Sequence, residues 1–322
     1  MKRTAAIVAL TSSLALLTAC GGNTDAADQK AANATVKGTK INLGPNQNRV
    51  RGTKDAAIAA EVPSKISKTG TLVIGGTAGT APPLGFYATD DKTPIGVEYD
   101  LATLVADTLG LKPTFNVTSW ENLFIGLDSG KNDVGFSNVT VTEERKEKYD
   151  FATYRLDNLA FEAKKSVDWK VTGPKDVAGK TIAVSSGTNQ EKILLEWSQE
   201  DKKNGLKPVD VKYYNNASDY YLALDSGRID AYLGPNPTAA YHVAVSGKTK
   251  IVGTYSGGGA TIQGKIAAIT KKDNGLVKAL NDALNKVIKD GSYAKVLKRW
   301  GLSNEAVTTS ELNPVGLPKT SS

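Results

Sequence analysis

One cysteine, Cys20, and one histidine, His242, occur in 322 residues. A single thiol excludes an intramolecular disulfide and a cysteine-built metal site, and no cluster of His, Cys and Asp offers another. The Gly-x-Ser-x-Gly elbow of a hydrolase is missing as well. His242 shares a helix with Tyr241 and Val245 and reads as structural rather than as a ligand or a base. Apolar runs are short, and the one from Ala5 to Leu17 falls below the roughly 20 residues that a bilayer-crossing helix needs. Charge of one sign is only in modest excess: the formal net charge is +7, and without Lys2 and Arg3 it is +5. The charges are interspersed, as in Lys146/Glu147/Lys148, with no basic-aromatic cluster, so they describe a solvated face and not a nucleic-acid surface. Gly257-Gly-Gly259 lacks the strand-Gly-helix context of a nucleotide site. No cofactor or metal is implied.

What is there begins with Lys2 and Arg3, the apolar run, and then Leu17-Thr-Ala-Cys20-Gly. This order reads as a signal-peptide core and not as an anchor. Its ending resembles a bacterial lipobox, which implies removal of residues 1–19 and lipidation of Cys20 as the first mature residue. Residues 20–62 are rich in Gly, Ala, Asn, Thr, Lys and Asp, with isolated apolar positions at Ile41, Leu43 and Val50, and are expected to form a flexible tether. Within it, Ile58 and Val62 are spaced to dock a short helix before Pro63 stops it.

Past Gly70 the chain repeats itself. Leu127-Asp-Ser-Gly-Lys-Asn-Asp-Val134 is echoed by Leu224-Asp-Ser-Gly-Arg-Ile-Asp-Ala231. In each copy an apolar helical stripe closes at a glycine, Gly130 or Gly227, and a β-run follows. Helix alternates with strand elsewhere too: Tyr99 to Leu109 carries Leu101, Leu104 and Val105 on one face, and Asn189 to Gln199 carries Ile193, Leu194 and Trp197. The expected class is α/β with mostly parallel sheets. Leu276 to Trp300 reads as two helices broken at Asp290-Gly291, and residues 303–322 as a loosely ordered tail.

Between the two copies lies Ser137-Asn-Val-Thr-Val-Thr-Glu-Glu-Arg-Lys, followed by Tyr149-Asp-Phe151. Thr142 is placed to cap a short helix that carries Arg145 in its first turn, and a guanidinium can grip a carboxylate through two parallel hydrogen bonds. A Thr followed by Glu-Glu-Arg also opens many solvated helices. The run resembles the signature of the solute-binding proteins of polar amino-acid ABC importers, bacterial solute-binding protein family 3, and the likeness extends from about Gly70 to Gly301. That resemblance implies a two-lobed periplasmic-binding-protein-like fold with two crossover hinge strands. Lobe 1 would comprise residues 63–156 and 265–302, and lobe 2 residues 157–264. It further implies a monomer, lipid-anchored at the outer face of the cell membrane, that hands a small amino acid or derivative to an ABC permease and its ATPase.

By the same resemblance Arg145 holds the ligand's α-carboxylate, assisted by the Thr140 backbone and by the turn at Gly187 and Thr188. Asn138 replaces the usual Gly, and Trp120 and Phe86 stand where aromatic walls occur. Trp120 can instead cap the core, and Phe86 can shield the cleft rim. One departure stands out, because Pro235 occupies the position of the Asp that receives the ligand's ammonium, leaving Asn236 with a neutral carbonyl. Either Asp219 or Asp157 reaches in, or the ligand lacks a free α-ammonium. A dehydratase-like enzyme on the same fold would need a cleft acid or base, for which Glu121 and Glu162 are the candidates. A ligand sensor that signals through a membrane partner is the remaining alternative.

Overall fold

The computed structural model describes residues 33–319 except Lys37 and Thr80. Cys20 and the apolar run before it lie outside the described residues.

In chain order, β1 (Asn33–Val36) and β2 (Thr39–Asn42) form an antiparallel hairpin, followed by α1 (Ala56–Ala59) and α2 (Ser64–Ser67). Next come β3 (Thr71–Thr77), β4 (Phe86–Tyr87), β5 (Pro94–Ile95), α3 (Val97–Thr108), β6 (Lys112–Thr118), α4 (Trp120–Asp128) and β7 (Val134–Thr140). The long strand β8 (Tyr149–Lys164) leads to β9 (Thr181–Val184), α5 (Asn189–Lys203), β10 (Asp210–Tyr213) and α6 (Ala217–Ser226). The chain then runs through β11 (Ala231–Pro235), α7 (Asn236–Ser246), β12 (Thr249–Ser256), β13 (Gly264–Lys271), α8 (Val277–Lys289) and α9 (Ser292–Arg299).

Among the described residues the main sheet follows the order β10-β9-β11-β8-β13-β7-β3-β6, with β12 also paired to β8. Parallel ladders join β6, β3 and β7 at one end and β10, β9 and β11 at the other. Between them β8 and β13 run antiparallel, from Gly264 opposite Asp157 to Lys271 opposite Tyr149. Beyond Asp157, β8 pairs with β11 and β12. The fold is thus α/β and two-lobed, with β8 and β13 crossing between the lobes. Each lobe has its own core: Leu72, Ile74, Leu104, Leu280 and Trp300 in the first, and Phe161, Ile182, Val184, Leu194 and Trp197 in the second.

The internal repeat acquires a shared structure. Gly130 and Gly227 both sit in the left-handed region, at φ 73° and 78°, where a side chain would strain the backbone. Three residues on, Asp133 and Asp230 each accept a hydrogen bond at 2.8 Å from near the start of a neighbouring parallel strand, from the N–H of Val73 in β3 and of Thr181 in β9. The same carboxylate ties helix, turn and strand together in both lobes.

Two expectations are corrected. Residues 33–62 do not form a tether: Ile41 is 1% exposed in the first core, and Arg49 pairs with Asp100 at 2.8 Å. Arg51 grips both oxygens of Asp107 at 2.6 Å. Dispersed arginines that meet acids on α3 fix this segment, an arrangement that local hydropathy does not register. The tail is likewise docked. Leu317 is buried in the second core while its N–H donates to Val141 O at 3.0 Å and its carbonyl accepts from Glu143 N at 2.9 Å. Burial of one leucine contributes about 1.5–3 kcal/mol, beside the backbone bonds that tie the same segment to Val141 and Glu143.

Candidate functional site

The carboxyl ends of β3, β6, β7, β9, β10 and β11 converge between the lobes, where open α/β sheets present their ligand-facing ends. They enclose a cavity of about 310 Å³ whose walls include Thr77, Leu84, Trp120, Asn138, Thr188 and Pro235. Glu121 is the one charged side chain among the described residues that line it. A second groove of about 410 Å³ adjoins at Thr188 and Asn189 and is bounded by Arg145, Gly187, Glu144 and Lys192.

Trp120 opens α4, which Ser119 caps by accepting from Asn122 N, so the indole reaches the cavity from the helix start. Thr188 caps α5, its hydroxyl accepting from Glu191 N at 3.2 Å, after Gly187 turns the chain at φ 73°. The start of α5, Thr188 to Gln190, therefore lines the cavity, and helix N-termini suit anions, with the Gly187 N–H already taken by the Glu191 carboxylate at 2.6 Å.

Arg145 begins a short 3-10 turn, Arg145–Glu147, capped at its entry by the Thr142 hydroxyl, which accepts from Arg145 N at 3.1 Å. Its guanidinium donates to Thr140 O at 2.9 Å and, across to the other lobe, to Gly187 O at 3.1 Å. It lies over the rings of Trp120 and Phe124, which are in edge contact with each other, with centroids at 5.3 and 5.7 Å. No ion pair to a carboxylate forms at Arg145 among the described residues. Desolvation pulls its pKa down to about 10, against the opposing fields of Asp157 and Glu144, and it stays charged at neutral pH.

Behind this surface Asp157 is buried at the hinge. Its Oδ2 accepts from the Thr140 hydroxyl at 2.7 Å and from Asn189 Nδ2 at 3.0 Å, so one carboxylate joins the lobes. Burial raises its pKa, although Thr140, Asn189 and both Arg155 and Arg145 favour the ionised form.

The structure thus brings Trp120, Asn138 and Thr188 to the cavity, and Arg145 with Gly187 to the adjoining groove. Thr140, 1% exposed, lines neither and acts through its carbonyl and hydroxyl. Phe86 is a correction: it is 6% exposed and packs edge-on against Trp300, with centroids 5.9 Å apart, inside the first core. Asn236 opens α7 and lines neither space, whereas Pro235 beside it does line the cavity. Of the acids that could reach in, Asp219 is held by Asn216 on the exposed start of α6 and Asp157 is sealed at the hinge. His242 stacks on Tyr221 at 3.5 Å and bonds the buried Glu162 at 2.5 Å, away from the cavity.

Sequence reasoning missed Asn215 and Tyr232, which also line the cavity, and Arg155, which touches one of its residues. Arg155 had a signal: a charged residue inside the apolar strand Tyr149–Lys164 implies a buried partner. The others lie in ordinary turn and strand sequence and carry none.

Residues 73–303 match the bacterial extracellular solute-binding proteins, family 3. The L-cystine-binding protein TcyJ of Escherichia coli (strain K12) is 33% identical over 238 residues, spanning 74% of this chain and 85% of its own. Among solved structures, an ancestral arginine-binding protein bound to arginine shares 33% identity with a TM-score of 0.62, covering 72% of this chain and 98% of that one. The ancestral amino acid-binding protein AncCDT-1, a precursor of cyclohexadienyl dehydratase, shares 27% identity with a TM-score of 0.62, covering 73% and 97%.

Proposed function

The chain belongs to the bacterial extracellular solute-binding proteins, family 3, and we propose that it captures a small carboxylate-bearing amino acid, or a derivative of one, between its lobes and delivers it to an ABC permease. The observation that carries this reading is Arg145: a guanidinium beside the rings of Trp120 and Phe124 at the interlobe cleft, hydrogen-bonded to carbonyls and ion-paired to no carboxylate among the described residues. A desolvated cation without an anionic partner is a costly arrangement that an incoming carboxylate relieves. Gly187 O, now bonded to Arg145, is the contact that a ligand carboxylate would replace, with the α5 end at Thr188 adding donors.

Relatives that bind L-cystine or arginine support an amino-acid ligand. The reading assigns no catalysis. Glu121 is the one carboxylate among the described residues that line the cavity, and a catalytic reading would need it as the acid or base. Incubation with each of the amino acids and mass spectrometry of the products tests this directly: every ligand is expected back unchanged, and conversion of any of them identifies an enzyme.

The anchor in this reading is a lipid on Cys20. Cys20→Ala is expected to move the protein from the membrane fraction to the soluble extracytoplasmic fraction or the medium. Recovery of the wild type in the soluble fraction contradicts the anchor and leaves the binding role intact.

A further inference from the structure

Asn138 stands at the cavity edge with its backbone in the left-handed region, at φ 52°. Its Oδ1 accepts a hydrogen bond from Nη2 of Arg155. Arginine carries donors only, so the amide can bond it in one orientation, oxygen toward Arg155 and NH2 turned away. Arg155 itself has little freedom. It is 1% exposed on β8, and Nη2 also donates to Glu98 Oε1 on α3 at 3.0 Å. Nη1 pairs with Glu305, which is 0% exposed in the segment after α9. The Tyr154 hydroxyl donates to the other oxygen of Glu98, and Tyr293, bonded to Tyr154 O at 2.7 Å, closes the cluster. The two carboxylates hold the guanidinium from α3 and from the C-terminal segment, so it is presented to Asn138 in a fixed plane.

We infer that Arg155 is a positioning residue for recognition: clamped by Glu98 and Glu305, it locks the Asn138 amide with its NH2 toward the cavity, so the ligand group opposite Asn138 is a hydrogen-bond acceptor. This rests on the cavity being the ligand site and adds to it a polarity that the first-lobe wall reads. Glu305 lies beyond residues 73–303, the part matched to the family, so a segment outside the shared region orders a residue inside the site.

Three variants test it by calorimetric titration with the proteinogenic amino acids, L-cystine and their N-acetyl forms. Asn138→Gly keeps the left-handed backbone without strain and deletes the amide, and the best wild-type ligand should weaken about tenfold, one lost hydrogen bond. Asn138→Asp keeps an oxygen for Arg155 but turns an acceptor to the cavity, and the same ligand should weaken by about a hundredfold or more. Arg155→Gln combined with Glu305→Gln removes one buried charge of each sign. It should cost about the same tenfold in the wild-type background and nothing further in Asn138→Gly. Wild-type binding that Asn138→Gly and Asn138→Asp leave unchanged overturns the inference while the binding role stands. If the wild type binds no member of the panel, the binding role falls and the inference with it. A further loss from the Arg155 pair on top of Asn138→Gly would show that Arg155 acts by some route other than Asn138, and would overturn it also. Because the two Asn138 variants leave the buried cluster intact, the polarity claim is decided even if the Arg155 pair fails to fold.

Discussion

Arg145 and Arg155 lie within one segment of chain, on either side of Tyr149-Asp-Phe151, and meet opposite treatment. Arg155 is enclosed and held by two carboxylates, whose fields raise its pKa above the ordinary arginine value despite burial. Arg145 is half-buried at the cleft, bonded to two carbonyls, and desolvation lowers its pKa to about 10. Both are cations in a poorly solvated setting. Among the described residues only Arg155 is ion-paired to carboxylates, and that difference separates a group that holds the fold from a group that can receive an anion.

The comparison is broken most forcefully at Arg155. Arg155→Met leaves Glu98 and Glu305 buried without their cation, and breaking a buried pair in this way costs about 3–5 kcal/mol of stability. Chemical denaturation of the variant should show a loss of this size, and a loss below about 1 kcal/mol would mean that the cluster is not what holds the strand and the tail together.

At Arg145 the effect should fall on binding instead. Lysine supplies charge without the planar fork, so Arg145→Lys is expected to cost about 2–4 kcal/mol of ligand affinity, with the denaturation midpoint little changed. A variant that loses stability but not affinity would reverse the roles assigned to the two arginines.

Asp157, between them, sharpens the contrast through pH. Its folded pKa is raised, so between the ordinary carboxylate range and that raised value the native state holds a proton that the unfolded chain has released. Its contribution therefore favours folding at low pH and is lost as pH rises through that window. Asp157→Asn, compared with the wild type in melts from about pH 3 to pH 7, should flatten this part of the profile. An unchanged difference across the range would mean that the arginines fully offset its burial.

The smallest effect is expected at Lys192, which bridges the lobes to Glu144 at 2.6 Å at the exposed edge of the same groove. Exposed pairs contribute about 0–1 kcal/mol, so Lys192→Met should change ligand affinity by no more than that in a calorimetric titration.

How much of this was legible depended on whether the determinant was local. The helix-glycine-strand unit was readable in both copies because Gly130 and Gly227 meet a local backbone requirement, and the two-lobed α/β fold followed from the signature around Ser137 to Arg145. Thr142 was readable as a cap for the same reason. The docked flanks were not, since Arg49, Arg51, Glu305 and Leu317 find partners far away in sequence, on α3, on β8 and beside Val141. Phe86 misled for a related reason: an aromatic after Pro82-Pro83 has the same local appearance whether it faces a cleft or, as here, Trp300. Pro235 does line the cavity where an acid was looked for, and neither Asp157 nor Asp219 joins it there. Within the cavity, a free α-ammonium would have Glu121 as its sole carboxylate among the described lining residues.

The most direct measurement is native mass spectrometry of the wild type and of Arg145→Lys, each purified without denaturation and then saturated with the amino-acid panel. The account predicts that the wild type retains one small carboxylate-bearing molecule, released unchanged, and that Arg145→Lys retains far less of it. Retention of a ligand without a carboxylate, or equal retention by both proteins, would contradict the assignment of Arg145 as the ligand's anchor.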